Sequence, residues 1–289
     1  MSPTPGPPAP MVSLLDWGIG GVDLLARLHA ARPDLRLRYR SDAGFLPWGR
    51  VPPAALADRV ATLVRQERGA GAAAVLLACN AASTALGVLR SAGVDRLLPH
   101  GLHGVIEPGV AALLAQPPTQ IAVLGGARTI RSGAWSRPLR RGGHVVRGRV
   151  AQALSARIEA GDVDGPQTRA LVARLCAPLR HAEVAVLACT HYPAAHAAFA
   201  AALPGVRLFD PAEAALAALL AALPASGSSP ALASPSGLSS GVLSSGVLSS
   251  GVPTWQVFTS GDPEATQRAA QRAFGIDLGV VAAWTAADA

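Results

Sequence analysis

The run Ala73-Ala74-Val75-Leu76-Leu77-Ala78-Cys79-Asn80 returns as a near copy at Ala182-Glu183-Val184-Ala185-Val186-Leu187-Ala188-Cys189-Thr190. Each copy is short, continuous and apolar, which reads as a strand buried on both faces of a parallel sheet. Each closes on Leu-Ala-Cys and a small polar residue, followed by Ala-rich sequence able to start a helix. Ligands of open α/β sheets bind outside the carboxyl ends of the strands, so both thiols are expected to point into such a crevice. One Cys in each half, at equivalent positions, predicts two thiols facing one site. The competing reading is a pair of buried Cys packed as small hydrophobes; the repeated context weighs against it.

Working outward, strands alternate with helices along the chain, which predicts a parallel-sheet α/β architecture. A strand at Val12–Asp16 runs into Trp17-Gly18-Ile19-Gly20-Gly21 and a helix over Val22–Ala31. A strand at Leu35–Ser41 precedes a Pro/Gly-rich loop from Asp42 to Pro53 and a helix over Ala54–Arg68. After the first Cys strand the pattern predicts one helix over Ala82–Ala92, a helix over Glu107–Gln116 and a strand over Ile121–Leu124. Gly125-Gly126-Ala127-Arg128-Thr129 is then a turn of phosphate or carboxylate size. A strand at His144–Arg147 and helices over Ala151–Ala160 and Gln167–Leu179 lead to the second Cys strand. Helices over Ala194–Leu203 and Ala212–Leu223 flank a strand at Val206–Phe209. Trp255–Phe258 and Pro263–Phe274 supply the last strand and helix. Residues 1–10 are Pro-rich, and 225–253 repeat Ser-Ser-Gly-Val-Leu with a period of five, a flexible insertion by composition.

Composition removes several function classes. The 289 residues carry 25 basic side chains and a net charge of +7. Every one of those 25 is arginine, so neither a pyridoxal-phosphate lysine nor a P-loop lysine can be built. The charge is scattered, densest over Arg137–Arg149, without interleaved aromatics, and reads as a solvated surface; no nucleic-acid partner is expected. Gly18 and Gly20 fail the GxGxxG spacing because Asp23 takes the last position. Gly69-x-Gly71-x-x-Ala74 precedes its strand instead of following it. Three Cys argue against a disulfide framework and for the reducing cytoplasm. Cys176 reads as core, no metal spacing is present, and no apolar run outside the Ser/Gly-rich tract suits a membrane span.

A thiol acts as base or nucleophile only as thiolate, and its neighbours set that state. Cys189 has His191 two residues on, and Asp16 at the end of the first strand is a candidate partner for Cys79. A single Cys-His nucleophile would suit acyl transfer, which leaves the second Cys idle. Two bases on opposite faces of one carbon suit racemisation instead. One removes the α-proton and the other returns one, with one group thiolate and the other thiol.

Asp16-x-Gly18-x-Gly20-Gly21, Cys79-Asn80-x-Ala82-Ser83, Gly104-Val105-Ile106-Glu107-Pro108-Gly109, Thr129-Ile130-x-Ser132-Gly133 and Cys189-Thr190-His191-Tyr192-Pro193 resemble the signatures of the glutamate racemases. They fall in that family's order, as do Asp42-x-x-x-x-Pro47-x-Gly49, Phe209-Asp210 and Phe258-Thr259-Ser260-Gly261-Asp262. The resemblance covers the chain from about Val12 to Ala283, apart from the Ser/Gly insertion. It implies two similar parallel-sheet α/β domains with the active site in the crevice between them. Residues 11–99 plus 206–289 would form the first domain and 100–205 the second. It also implies cofactor-independent interconversion of L- and D-glutamate, supplying D-glutamate for peptidoglycan. On that resemblance Cys79, assisted by Asp16, takes the proton from the D-isomer, and Cys189, assisted by His191, from the L-isomer. Trp17, Trp48, Gly49, Asn80, Ala81 and Thr190 fall at substrate-contacting positions, and Asp42 and Glu159 resemble carboxylates that tune the histidine or the site. The partner implied is a small amino acid, with a homodimer left open.

The chain departs from the family pattern at several of these positions. Trp17 replaces a Ser, Ala81 and Gly126 replace Thr, Trp48 replaces a Tyr, and Asp42-Ala43-Gly44-Phe45 replaces an Asp-Thr-Ala-Arg run. Alternatives that remain are a racemase of aspartate or another amino acid, and a binding protein of the same fold with impaired turnover.

Overall fold

The computed structural model describes residues 10–225 and 255–284. Nearly all of the Pro-rich start and of the Ser/Gly-rich insertion therefore lies outside the described residues. Strand β1 (Met11–Asp16) leads through the glycine turn into α1 (Val22–Ala31), followed by β2 (Arg36–Ser41), α2 (Pro53–Gly69) and β3 (Ala72–Leu77). Next come α3 (Asn80–Ser83), α4 (Leu86–Ser91), β4 (Leu102–Gly104), α5 (Ile106–Leu114) and β5 (Gln120–Gly125). Helices α6 (Ala127–Ser132) and α7 (Ser136–Arg141), strand β6 (Val145–Val150), and helices α8 (Gln152–Glu159) and α9 (Pro166–Cys176) lead to β7 (Val184–Ala188). The described chain closes with α10 (His196–Ala202), β8 (Arg207–Phe209), α11 (Ala212–Ala222), β9 (Trp255–Thr259), α12 (Pro263–Phe274) and β10 (Val281–Ala283).

The strands form two sheets, β10-β9-β2-β1-β3-β4 and β6-β5-β7-β8, and every pairing is parallel. From β1 the chain moves to β2 on one side and then reaches β3 on the other. Strand β5 is flanked in the same way by β6 and β7. The strand order thus reverses between β1 and β3 and again between β5 and β7, and ligands of open α/β sheets bind at such reversals. Asp16 and Cys79 stand at the first reversal; the Gly125-Gly126 turn and Cys189 stand at the second. The sheets draw on slightly different segments from the expected domain division. Residues 102–104 pair with β3 in the first sheet, and residues 207–209 pair with β7 in the second.

Burial explains why these segments are strands. All of β1 and β7 is buried, so both faces of each sheet are covered and the apolar run is continuous instead of alternating. Met11, Leu15, Val75 and Leu77 pack under α2 in one core. Val12, Leu14, Tyr39 and Leu76 face α1 in a second core, which continues through α5 and α11 into β5 and β7. One apolar core therefore joins the two halves. Buried charge is paired: Ser13 Oγ donates to Glu67 Oε2 (2.7 Å), and Arg40 donates to Glu67 Oε1 (2.9 Å), which offsets the desolvation of that carboxylate. No helix among the described residues is long and apolar enough to cross a membrane.

The helix expected over Ala82–Ala92 is broken into α3 and α4. Ser83 Oγ and Thr84 Oγ1 bond back to the carbonyls of Cys79 and Ala81 (2.9 and 2.6 Å), a side-chain competition that ends short helices. The helix expected over Ala194–Leu203 starts later, at His196, because a 3-10 turn over Tyr192–Ala195, with Pro193 in it, precedes α10. Helix α12 matches the expectation, because Asp262 accepts from the Ala265 N–H (2.9 Å) at its start and Gly275 at φ +68° ends it. Helices α6 and α7 and strands β4 and β10 had no counterpart in the sequence reading. Each spans six residues or fewer, too few for a hydrophobic period to register.

Candidate active site

Two acid–base pairs meet where the sheets face each other. On the first side, Asp16 is 1% exposed. Its Oδ1 accepts from the Trp17 N–H (2.6 Å), and its Oδ2 accepts from the Thr190 hydroxyl of the second sheet (3.3 Å). Burial raises its carboxyl to about 6, against the opposing pull of His191 and a hydrogen bond with Cys79. Burial also pushes the Cys79 thiol well above its ordinary value, and the charges of Asp16 and Cys189 add to the rise. Cys79 is thereby held as a thiol.

The second side is built oppositely. His191 Nδ1 lies 3.7 Å from Cys189 Sγ, and His191 Nε2 donates to Glu159 Oε2 at 2.5 Å. Burial opposes charge on this ring, but the hydrogen bonds and charges of Cys189 and Glu159 outweigh it and raise its pKa well above the ordinary histidine value. Ser155 Oγ shares a hydrogen bond with Cys189 Sγ at 3.4 Å. Cys189 therefore sits beside an imidazolium and a hydroxyl. The third cysteine, Cys176, is fully buried, and burial moves its thiol to about 11.

The glycine turn after β1 has a packing reason. A Cβ on Gly18 would collide with Glu159 Oε2, and one on Gly20 would fall 2.5 Å from His191 Nδ1. Positions 18 and 20 are glycine because Glu159, His191 and Thr190 of the second half press against them. The Ile19 N–H also donates to Glu159 Oε2 (3.2 Å), and the Tyr39 hydroxyl donates to the Gly18 carbonyl (2.7 Å). Gly18→Ala must displace Glu159 and with it the support of His191. Overpacking of this kind costs on the order of 1–3 kcal/mol, so catalytic efficiency is expected to fall more than tenfold with the far-ultraviolet circular dichroism unchanged. Unaltered steady-state kinetics in a folded Gly18→Ala protein would contradict this account.

Asn80 is 3% exposed, and its Oδ1 accepts from Trp135 Nε1 (3.1 Å). Gly109 of α5 makes room for that indole, since a Cβ there would collide with its ring. Trp17, Cys79 and Ala81 lie together against the α2 core, and Trp17 Nε1 donates to the Phe45 carbonyl (3.0 Å). Trp48 is 1% exposed, and its indole donates to Asp42 Oδ2 (2.9 Å), so the ring belongs to the core and only the backbone of 48–49 faces the second half. Asp42 is fully buried as well. Its oxygens accept from Arg59 (3.0 and 2.7 Å), Trp48 and Ser260 (3.3 Å), which makes it the clamp of the 42–51 loop and not a tuner of His191. Of the two tuning carboxylates expected, Glu159 alone touches the histidine.

Sequence reasoning missed Gln152, Ser155, Trp135 and Arg128. Gln152, Ser155 and Glu159 follow at i, i+3 and i+7, one face of α8. Gln152 Oε1 accepts from the Ala127 N–H (3.1 Å) and lies against Gly49 and Gly126. That spacing was the available signal.

The comparisons with known proteins place the whole chain in a family. The model of the family described as Asp/Glu/Hydantoin racemase matches residues 49–219. The chain belongs to that family. Among individual relatives in it, a glutamate racemase of Thermus thermophilus is 32% identical over 92% of this chain and 93% of that protein. The Pseudomonas aeruginosa glutamate racemase is 33% identical over 63% of this chain and 69% of its own length. A crystal structure of the T. thermophilus glutamate racemase in complex with β-chloro-D-alanine superposes with a TM-score of 0.77 at 23% identity, covering 98% of this chain and 99% of that one. A glutamate racemase isoform from Bacillus anthracis gives a TM-score of 0.78 at 21% identity over 97% and 99% of the two chains.

Proposed function

We propose that this chain is a cofactor-independent glutamate racemase that interconverts L- and D-glutamate by a two-base mechanism with Cys79 and Cys189 as its acid–base groups. The observation that carries the reading is the opposite electrostatic setting of the two thiols. A two-base racemase needs one thiolate and one thiol at the start of each turnover. Cys79, buried beside the Asp16 carboxylate, suits the thiol, so the mechanism gives the starting thiolate to Cys189, which has His191 as its proton partner. In this state Cys189 removes the α-proton of L-glutamate, and Cys79 delivers its own proton to the opposite face of the same carbon. The product leaves Cys79 as thiolate and Cys189 as thiol, ready for the D-isomer, and Asp16 shares the proton at Cys79 through their hydrogen bond. Asn80 and Thr190, at the two strand ends, suit the charged groups of the substrate. The family activity and the 32% identity over most of the chain to a glutamate racemase support glutamate as the substrate. The enzyme then supplies D-glutamate for peptidoglycan. Three free cysteines suit a reducing cytoplasm.

The test is circular dichroism of the purified protein with L- and with D-glutamate in D2O. Optical activity is expected to vanish from both isomers, with solvent deuterium at the α-carbon of the product. Glutamate that keeps its rotation while aspartate loses it would transfer the reading to aspartate. Inertness toward both would refute the assignment.

A further inference from the structure

Buried and half-buried arginines in this protein come with a carboxylate. Arg27, Arg32, Arg38, Arg40, Arg59 and Arg157 each lie between 2.6 and 3.6 Å from an Asp or Glu oxygen. Arg128 is half-buried as well, yet no carboxylate among the described residues pairs with it. Its one hydrogen bond there is from Nε–H to the Trp48 carbonyl, at 3.1 Å, so the terminal nitrogens of the fork face no acceptor of the protein. A half-buried charge without a counter-charge is unfavourable, and burial lowers the pKa of this guanidinium from its ordinary value.

Its location ties it to the two thiols. Arg128 stands in the first turn of α6, directly after the strand-order reversal between β5 and β7. Helix α6 packs against α3, which starts at Asn80, next to Cys79. The Trp48 carbonyl that Arg128 reaches precedes Gly49, and Gly49 faces Gln152 of α8, one turn before Ser155, whose hydroxyl meets Cys189 Sγ. The cation thus stands on a helix packed against the segment that follows Cys79, and its Trp48 contact lies beside the α8 face that carries Ser155. Ala81, in α3, and Gly126, just before α6, offer no hydroxyl to an anionic substrate. We propose that Arg128 binds the side-chain carboxylate of the substrate and makes the site selective for acidic amino acids. A guanidinium presents a planar fork that matches a carboxylate with two hydrogen bonds, so it supplies from one residue what the missing hydroxyls would have shared. This rests on the racemase reading above and adds which group sets the substrate class.

The experiment compares the full-length protein with Arg128→Gln and Arg128→Lys, following loss of the α-proton by NMR in D2O with glutamate and with glutamine. Arg128→Gln is expected to raise KM for glutamate at least tenfold with a smaller change in kcat. It should also reduce the preference for glutamate over glutamine at least tenfold, and Arg128→Lys should restore part of both. A parallel decline on the two substrates, or an unchanged KM, would overturn the inference. Calorimetric titration with glutarate reads the same contact without turnover. If the unmodified protein is inert toward glutamate but binds glutarate at least tenfold more tightly than Arg128→Gln, the racemase reading fails and this inference stands. If glutarate binding does not depend on Arg128, this inference fails whatever the activity.

Discussion

Cys189→Ala is expected to lose racemisation of both glutamate isomers, and Cys79→Ala to do the same, each by roughly 10²- to 10⁴-fold, the usual contribution of one acid–base group. Each turnover in either direction uses both thiols, one to take a proton and one to give it, so removing either ends both directions. Exchange of the α-proton with solvent separates the two. A variant with one thiol can still remove the proton on its own side and return a deuteron to the same face. Cys79→Ala should therefore exchange L-glutamate without inverting it, and Cys189→Ala should exchange D-glutamate. The two exchange rates should also differ. Cys189 has the His191 ring 3.7 Å away as its proton partner. Cys79 is held as a thiol by burial and by Asp16, so its exchange should be slower at neutral pH and climb further as pH rises. Proton NMR in D2O across the neutral and mildly alkaline range gives both profiles. Racemisation that persists in Cys79→Ala would point to single-thiol chemistry on Cys189 and sink the two-base mechanism.

The sheet strands were legible where an apolar run was long enough to show that both faces are covered, as at Val184–Ala188. They were not legible where three residues suffice. Leu102–Gly104 and Arg207–Phe209 become strands because a neighbour already offers its edge, and this tertiary cause leaves no local pattern. That Cys79 and Cys189 stand at equivalent strand ends could be read from the repeat, since those ends are set by topology. The glycines at 18 and 20 were visible as a turn, but their reason lies far along the chain, in Glu159 and His191. Asp42 shows the converse. Its motif marks an important carboxylate, and only the structure shows that Arg59, Trp48 and Ser260 occupy its oxygens. The same holds for Arg128, where the informative feature is a missing partner.

Asp16→Asn is expected to make the protein more stable and less active, with the gain in stability tied to pH. Asp16 is raised from 3.8 to about 6, and burial is the leading cause. Between these two values the folded protein holds a proton on Asp16 that the unfolded chain has already released. Stability therefore falls as pH rises through this window, and above it the full penalty of a buried carboxylate is present. A difference of about two units corresponds to about 3 kcal/mol. Asparagine is uncharged at every pH and can still accept from the Trp17 N–H, so the variant escapes the penalty. Denaturant unfolding should place Asp16→Asn about 3 kcal/mol above the unmodified protein at about pH 8, with the gap shrinking through about pH 5 and closing near pH ~4. Racemisation should fall by roughly one to two orders of magnitude, because the proton shared between Asp16 and Cys79 is lost along with an anion facing His191. Stability alone would also rise if the substitution merely improved packing, but that gain would be equal at both ends of the pH range. A pH-independent gap, or a variant less stable in mild alkali, would show that burial is not what sets this carboxylate. The paired result, with rising stability and falling turnover at the same pH, is the signature of a charge kept buried at a working site against the preference of the fold.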